Sequence, residues 1–291
     1  ARSNGYEVGI GSAAQSILSL AAERWAVQQW KQLLVDAHRV DLLEEGGLVV
    51  SQWAAPREAK VEVVRARLAE LADAVAAKVV ADAPIRERVE AVNSILFDDF
   101  GFQGNVDNYY DARNSFLHSV LERRRGIPIS LSIVWTAVAR RVKIPCFLCT
   151  DMPAHIVVRV RAGDGGYDTD LYVDAFGRKV MDFAGLRMFL LAIGHGSFNP
   201  DWVEQKPAKG VYSRLLRNLR NIYEQTPHSA TIGTAETMRC IECLAATCAQ
   251  MAAIAEADGA APQNQELQIV TRIRDQAHRK LREWRFERLA M

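Results

Sequence analysis

The sequence predicts an α+β fold in which a small antiparallel sheet lies between an N-terminal and a C-terminal helical region. Apolar residues recur every three or four positions in the first and last thirds of the chain, which is typical of amphipathic helices. Short segments rich in β-branched residues follow Pro145, and Gly163-Asp164-Gly165-Gly166 is a hairpin turn signal. The chain of 291 residues is 49% hydrophobic and 24% charged, enough apolar material for a globular core. We predict helical residues 1–97, a core at 98–200 and helical residues 201–291.

The N-terminal region is predicted to be a bundle of helices. Residues Ser12–Val40 have a helical pattern, and the pair Gly46-Gly47 is expected to end it. A second helix is indicated by the apolar spacing from Val61 to Val75. A third follows the breaker Asp82-Ala83-Pro84 and is predicted to end near Phe97.

The middle region is predicted to hold a long loop, two helices and the sheet. The loop from Phe97 to Pro128 is dense in Gly, Asn, Asp and Tyr and contains one short helix, Ser115–Arg124. A strongly apolar helix follows at Ile129–Val142. The predicted strands are Pro145–Thr150, His155–Arg161, Asp170–Asp174 and Lys179–Met181.

Helical patterns return after Val211, and the overall charge is nearly balanced. The predicted helices are Val211–Glu224, Thr234–Ala257 and Gln265–Leu289. We expect no membrane span, because charged or polar residues interrupt the most apolar stretch. The net charge of +1 makes nucleic acid an unlikely partner. The basic last helix either meets an acidic partner or a membrane surface, or is a solvated face.

The five cysteines predict a reducing compartment. An odd count argues against a disulfide framework, so we expect an intracellular protein of the cytoplasm or an organelle. Cys146-x-x-Cys149 could be a redox or metal motif, but on a strand the two side chains point to opposite faces. Small buried hydrophobes are the simpler interpretation, and we predict no metal and no cofactor. The start at Ala1 and the Ala- and Arg-rich composition would suit a processed plastid protein.

Long ordered sequence words in the middle of the chain resemble the SirB-like family of the transglutaminase-like superfamily. The words lie at Ile95–Asn105, Tyr109–Trp135, Ala139–Pro145, Pro153–Val160, Tyr172–Gly177 and Ser213–Tyr223. The resemblance implies a papain-like core. In that superfamily a cysteine at a helix N-terminus attacks an acyl group, a histidine is the base and an aspartate orients the histidine.

The resemblance assigns the base to His155 and the orienting carboxylate to Asp174, but the nucleophile is missing. Counting back twelve residues from the matching Arg140 places Pro128 at the position of the cysteine. Proline is well tolerated in a first helical turn, so the helix start is expected to survive. Ser130 and Ser132 follow in the same helix, and a serine hydrolase would need one of them. Ser130 is expected to point away from the cysteine position and to bond to the backbone.

The loop before this helix supplies the predicted binding residues, Tyr109, Tyr110, Asp111, Arg113, Asn114 and Arg125. We expect the loop either to pack over the cleft and shape a docking surface, or to be a structural clamp. Asp111 is expected to pair with Arg113 or Arg125, and Asn114 or Ser115 to cap the following helix. The Arg123–Arg125 run either binds an anionic partner or pairs with nearby carboxylates.

These features predict a non-catalytic interaction protein. His155 and Asp174 would form a vestigial pair in a degenerate cleft, and a protein partner would bind there or on the helical flanks. The alternative is a hydrolase or acyltransferase that uses the same pair with a nucleophile other than cysteine.

Overall fold

The computed structural model describes residues 3–35, 43–225, 235–257 and 259–289. The longer helices are α1 (Ser3–Val35), α2 (Leu43–Ala54), α3 (Val61–Lys78), α4 (Ile85–Asn93), α5 (Leu117–Arg123), α6 (Pro128–Arg141), α7 (Phe183–Ala192), α8 (Ala208–Gln225), α9 (Ala235–Ala257) and α10 (Gln265–Leu289). The strands are β1 (Gln103–Gly104), β2 (Arg125–Gly126), β3 (Cys146–Cys149), β4 (Val157–Val160), β5 (Leu171–Asp174) and β6 (Lys179–Met181). Short helical turns lie at Ser94–Asp99, Ala112–Ser115 and Pro200–Val203.

The described residues fall into two compact units. One unit comprises residues 43–215 and contains all the strands named above, while the other comprises residues 3–35 with 216–225, 235–257 and 259–289. The first unit has the predicted α+β architecture, with helices around a small antiparallel sheet. The predicted division at residues 97 and 200 stays a prediction.

The main sheet has the strand order β3-β4-β5-β6, and each neighbouring pair is antiparallel. Its strands are rich in Val, Leu and Phe, residues that pack well on a pleated surface. One face carries Phe147, Val157 and Tyr172, which pack against Leu186 and Leu190 of α7. Helix α6 also packs against β3 and β4. Side chains alternate between the two faces along β4 and β5, so every second residue points towards α7.

The predicted helix end at Gly46-Gly47 is wrong, because both glycines lie inside α2. Glycine costs a helix about 1 kcal/mol relative to alanine, so close packing must compensate here. A Cβ atom on Gly46 would lie 2.2 Å from the ring of Tyr212, and one on Gly47 would lie 3.3 Å from Leu117. Tertiary contact, not local propensity, therefore explains these glycines. Predicted residues 36–40 of the first helix lie outside the described residues.

Helix α7 has no counterpart among the predicted elements. Its sequence, FAGLRMFLLA, is apolar on nearly every side, so it lacks the polar face by which a surface helix is recognised. The Asp182 side chain caps the helix by accepting a hydrogen bond of 2.8 Å from the Gly185 amide.

The other unit is formed by helices, with α9 packed against α1 and α10. Trp30 Nε1 donates a hydrogen bond of 2.9 Å to Gln250 Oε1, and Ser19 Oγ donates one of 2.9 Å to Glu242. Among the described residues, only Glu236–Ala257 is long and apolar enough to cross a membrane, and 67% of that window is buried within the protein. A core helix of a bundle has the same properties.

Candidate functional site

The contact predicted between His155 and Asp174 is present. His155 Nε2 lies 2.9 Å from Asp174 Oδ1. Asp174 is the last residue of β5, whereas His155 lies two residues before β4 rather than within it. Strands β4 and β5 are antiparallel and pair Val158 with Val173, so the start of β4 lies beside the end of β5. His155 lies beside α7, because its ring is 5.1 Å from that of Phe189.

The carboxylate of Asp174 is held by three donors. Oδ1 also accepts hydrogen bonds of 3.0 Å from the Phe176 amide and 2.9 Å from the Gly177 amide. A Cβ atom on Gly177 would lie 2.3 Å from Oδ2, so this turn requires glycine. Burial by itself raises the pKa of Asp174, but the His155 hydrogen bond and charge and the two amides outweigh it, leaving the pKa below its usual value.

The lowered pKa of Asp174 fixes the direction of its hydrogen bond with His155. An ionised carboxylate only accepts, so His155 Nε2 donates to Asp174 Oδ1 and this bond does not engage Nδ1. This is the arrangement of a base and its orienting residue.

The stability that Asp174 contributes is expected to depend on acid pH. Its folded-state pKa lies below the ordinary value of about 3.9, so the contribution is complete above that pH and is lost as the pH falls through the folded pKa. We expect Asp174→Asn to be less stable than wild type at neutral pH, with the difference shrinking in acid. Urea unfolding at a series of pH values measures this, and a difference independent of pH would contradict it.

The loop that carries His155 is folded around the guanidinium of Arg214 from α8. Its Nη1 donates to the carbonyls of Thr150 at 2.7 Å and Met152 at 3.0 Å, and Nη2 donates to the carbonyl of His155 at 2.7 Å. Ala154 adopts a left-handed φ of 56°, which a non-glycine residue seldom does. The Arg214 bonds therefore stabilise a backbone shape that the loop would not adopt alone. The sequence pattern around Arg214 does not predict this role.

Removing the Arg214 guanidinium is expected to loosen this loop. Because hydrogen bonds to a charged group contribute about 1.5–3 kcal/mol each and are not additive, we expect Arg214→Gln to destabilise by roughly 2–4 kcal/mol. Hydrogen exchange of residues 150–156 should rise more than elsewhere. Arg217→Gln on the same helix, which removes an exposed ion pair with Glu266, is the control and should leave that loop unchanged. Equal exchange in the two variants would show that Arg214 does not order the loop.

Helix α6 begins at Pro128, one residue before the predicted start at Ile129, so proline occupies its first turn as expected. The hydroxyl of Ser130 accepts a hydrogen bond of 3.1 Å from the Ile127 amide and donates one of 2.6 Å to the carbonyl of Asn114. The predicted backbone role of Ser130 is confirmed. The Ser132 hydroxyl is fully buried and has no hydrogen-bond partner among the described residues. Neither serine is presented as a nucleophile.

The loop that carries Tyr109 packs beside the His155–Asp174 pair. The rings of Tyr109 and Phe176 are 6.2 Å apart in an edge-to-face arrangement. A Cβ atom on Gly104 would lie 2.5 Å from the Phe176 ring, which shows how closely this loop approaches. Burial raises the pKa of Tyr109, and the charge of Arg214 acts against that rise. Tyr109, Phe176 and Arg214 thus border the same region.

The side chain of Asn114 fixes the shape of this loop. Its amide nitrogen donates to the carbonyls of Asn108 at 2.7 Å and Tyr109 at 3.1 Å. Its oxygen accepts from Asn105 at 2.9 Å and from Arg123 at 3.0 Å. Because Asn114 is fully buried, these bonds are shielded from water. The predicted capping role is wrong: Phe116 is the N-cap of α5, with no side-chain cap from Asn114 or Ser115.

Asp111 pairs with Arg113, as predicted, but not with Arg125. Arg113 Nη2 lies 2.7 Å from the Asp111 carboxylate, and Arg123 supplies a second contact at 3.4 Å. Arg125 lies in β2, beyond the left-handed residue Arg124 that ends α5, and it makes no ion pair with a described residue. Burial raises the pKa of Asp111, but Arg113 and Arg123 outweigh it and lower the pKa. Tyr110 is 64% exposed at the loop surface.

The cysteines belong to the packing of the protein. All five are free thiols; Cys146, Cys149 and Cys248 are buried, while Cys240 and Cys243 are partly buried. Burial raises the pKa of Cys146 and Cys149 to about 12, so neither is a thiolate at neutral pH. In the described part of the chain, no group of three or more His, Cys, Asp and Glu side chains is placed to hold a metal ion.

Comparison with known proteins gives relatives of two kinds. The chain is 37% identical over 145 residues to a UPF0162 protein of Xylella fastidiosa, a match that covers 48% of this chain and 50% of that protein. It is 39% identical over 94 residues to F-box only protein 21 of Mus musculus, covering 31% of this chain and 15% of that protein. The chain thus spans about half the length of the Xylella relative. No solved structure matches it.

The family model of the transglutaminase-like superfamily matches residues 62–217, more than half of the chain. This range contains Pro128, His155, Asp174 and Arg214, and it agrees with the arrangement of a helix followed by an antiparallel sheet that carries the His155–Asp174 pair. The chain therefore belongs to the transglutaminase-like superfamily.

Proposed function

We propose that the chain is a SirB-like, non-catalytic member of this superfamily that binds a polypeptide partner at the cleft beside His155 and thereby acts as a scaffold or regulator. The observation that carries the proposal is the loop of residues 105–111, which presents exposed apolar side chains while its backbone is held by Asn114.

The first support is that Pro128, at the N-terminus of α6, is not a nucleophile. A cysteine-type reaction needs a thiolate at the N-terminus of α6, and Pro128 supplies no nucleophilic atom there. Ser130 uses its hydroxyl in two backbone hydrogen bonds. The buried thiols of Cys146 and Cys149 have raised pKa values, so the described part of this unit offers no activated nucleophile to serve a hydrolase.

The second support is the pre-organised loop. Val106 is 73% exposed and Tyr110 is 64% exposed, whereas the neighbouring backbone is fixed by the buried amide of Asn114. Tyrosine is enriched among the residues that dominate binding energy at protein interfaces. A loop already held in shape loses little conformational entropy on binding, so more of the contact energy appears as affinity.

Site-specific crosslinking tests the proposal. A photoreactive benzoylphenylalanine at position 110 should crosslink a recurring protein in cells of the source organism, and the same group at Val80, which is 68% exposed, should not. With the purified partner, Tyr110→Ala should weaken binding by about tenfold or more, and Val80→Ala by less than about twofold. Identical crosslinks from both positions, or hydrolysis of simple amides or esters by the wild-type protein, would contradict the proposal.

A further inference from the structure

Helix α7 has a second apolar face that the core does not use. Leu186 and Leu190 are buried against the sheet, whereas Met188 is 66% exposed and Leu191 is 57% exposed. Ala184, Met188 and Leu191 are spaced by four and three residues, so they form one stripe. An exposed apolar stripe beside a concavity is a feature of interaction sites.

This stripe is one wall of a groove, which we call the α7 groove. The opposite wall is the loop of residues 195–198 that follows the helix. The wall is fixed, because Gly194 has a φ of 91° and the amides of Gly194 and His195 close the helix end on the carbonyls of Leu191 and Leu190. The groove has a volume of about 290 Å³, which suits a few apolar side chains of a peptide better than a drug-sized molecule.

The charges of the groove indicate the chemistry of its occupant. Arg187 lies on the same side of α7, three residues after Ala184 and four before Leu191. It forms no ion pair or hydrogen bond with a described residue, and no acidic side chain lines the groove. An exposed guanidinium beside an apolar groove is complementary to a carboxylate on the partner.

We propose that the α7 groove docks an acidic amphipathic helix of a partner polypeptide. Its leucine-like anchors contact Met188 and Leu191, and a Glu or Asp pairs with Arg187. A second copy of the chain fits less well, because a symmetric contact would bring two Arg187 side chains together. A membrane fits less well, because one cation provides little attraction to anionic lipid. The groove shares no lining residue with the Tyr109 loop, so this proposal goes beyond the cleft function.

Methyl NMR with a defined probe tests the proposal. The protein contains six methionines, so labelled methyl groups give a simple spectrum in which Met188 can be assigned by substitution. The probe is a peptide of about twelve residues, roughly three helical turns, with Leu on one face and Glu elsewhere. We expect it to shift the Met188 methyl signal saturably, while a peptide with Lys in place of Glu should bind about tenfold more weakly.

Charge reversal provides the decisive comparison. Arg187→Glu should weaken the acidic peptide about tenfold and make the Lys peptide the better ligand, whereas Arg57→Glu, at another exposed position, should change neither. Tyr110→Ala should leave this binding intact, which separates it from the cleft function. The proposal is overturned by equal binding of both peptides, by a Met188 shift that depends on protein concentration alone, or by one produced only by anionic phosphatidylserine vesicles.

Discussion

Replacing Pro128 by cysteine is expected to create a thiol that iodoacetamide alkylates about five- to tenfold faster at about pH 6.5 than an ordinary exposed thiol. The new Sγ would stand at the N-terminus of α6, where the helix favours negative charge. The resemblance to the superfamily implies that His155 faces this position, and because its Nε2 bonds to Asp174, Nδ1 would be the ring nitrogen available to the thiol. Both features lower a thiol pKa, to roughly 3.5–7.5 in comparable sites.

The expected gain combines two opposing effects. Lowering the thiol pKa by about two units raises the thiolate fraction some fiftyfold near pH 6.5, while the lower basicity reduces the reactivity of that thiolate about eightfold. Proline in a first turn mainly presets φ, so we expect Pro128→Cys to fold with little loss of stability.

Peptide mapping by mass spectrometry follows the new thiol separately from the five native ones. Val80→Cys provides an ordinary exposed thiol as the control. Adding His155→Ala to Pro128→Cys should remove most of the gain. A thiol at position 128 that reacts like the one at position 80, with or without His155, would mean that the cleft no longer has the arrangement of an active site.

Asp170→Asn is expected to destabilise the unit of residues 43–215 by about 3–5 kcal/mol, because it leaves the buried guanidinium of Arg159 with only the exposed carboxylate of Glu204, 3.5 Å away. Arg159 Nε lies 2.7 Å from Asp170 Oδ2, and the two side chains are 7% and 1% exposed. Arg159 also donates to the carbonyl of Val203 at 2.9 Å, and Asp170 Oδ1 accepts from the Ala162 amide at 2.8 Å.

Calorimetry and urea unfolding measure this effect. A loss of that size should lower Tm by on the order of 10 °C for a unit of this length. Asp98→Asn removes the exposed ion pair with Arg178 and should change stability by less than about 1 kcal/mol. The Asp170 prediction is wrong if the two variants unfold alike. Arg159 pairs with Asp170 and His155 pairs with Asp174, so the same β4–β5 segment carries a stabilising pair and the site pair.

Local patterns were sufficient where one stretch of chain decides its own structure. The start of α6 near Pro128 follows from the preference of proline for a first turn, and β3 to β6 follow from short segments of residues that suit strands. The backbone role of Ser130 could be predicted because the geometry of a helix start is repeated among proteins. The pairing of His155 with Asp174 could be predicted from the resemblance, since both residues lie in sequence words that match the superfamily.

Side-chain partners across the fold could not be predicted in the same way. Asp111 pairs with Arg113, one of its two predicted partners, but its second partner is Arg123 rather than Arg125. Helix α5 aligns Arg123 with Ser119, four residues earlier. The left-handed Arg124 then turns the chain into β2. The left-handed conformation of Arg124 thus separates Arg123, which contacts the Asp111 carboxylate, from Arg125, which does not.

The sequence by itself determined the transglutaminase-like core, the identity of the His155–Asp174 pair, and the presence of Pro128 where the resemblance places a cysteine. Each of these depends on the residue types in a short segment. Only the tertiary structure decided that Gly46 lies inside a helix, that Arg214 holds the His155 loop and that Asn114 shapes the Tyr109 loop. These contacts join residues far apart in the chain. Their energies come from close packing and shielded hydrogen bonds, which exist only after the segments have assembled.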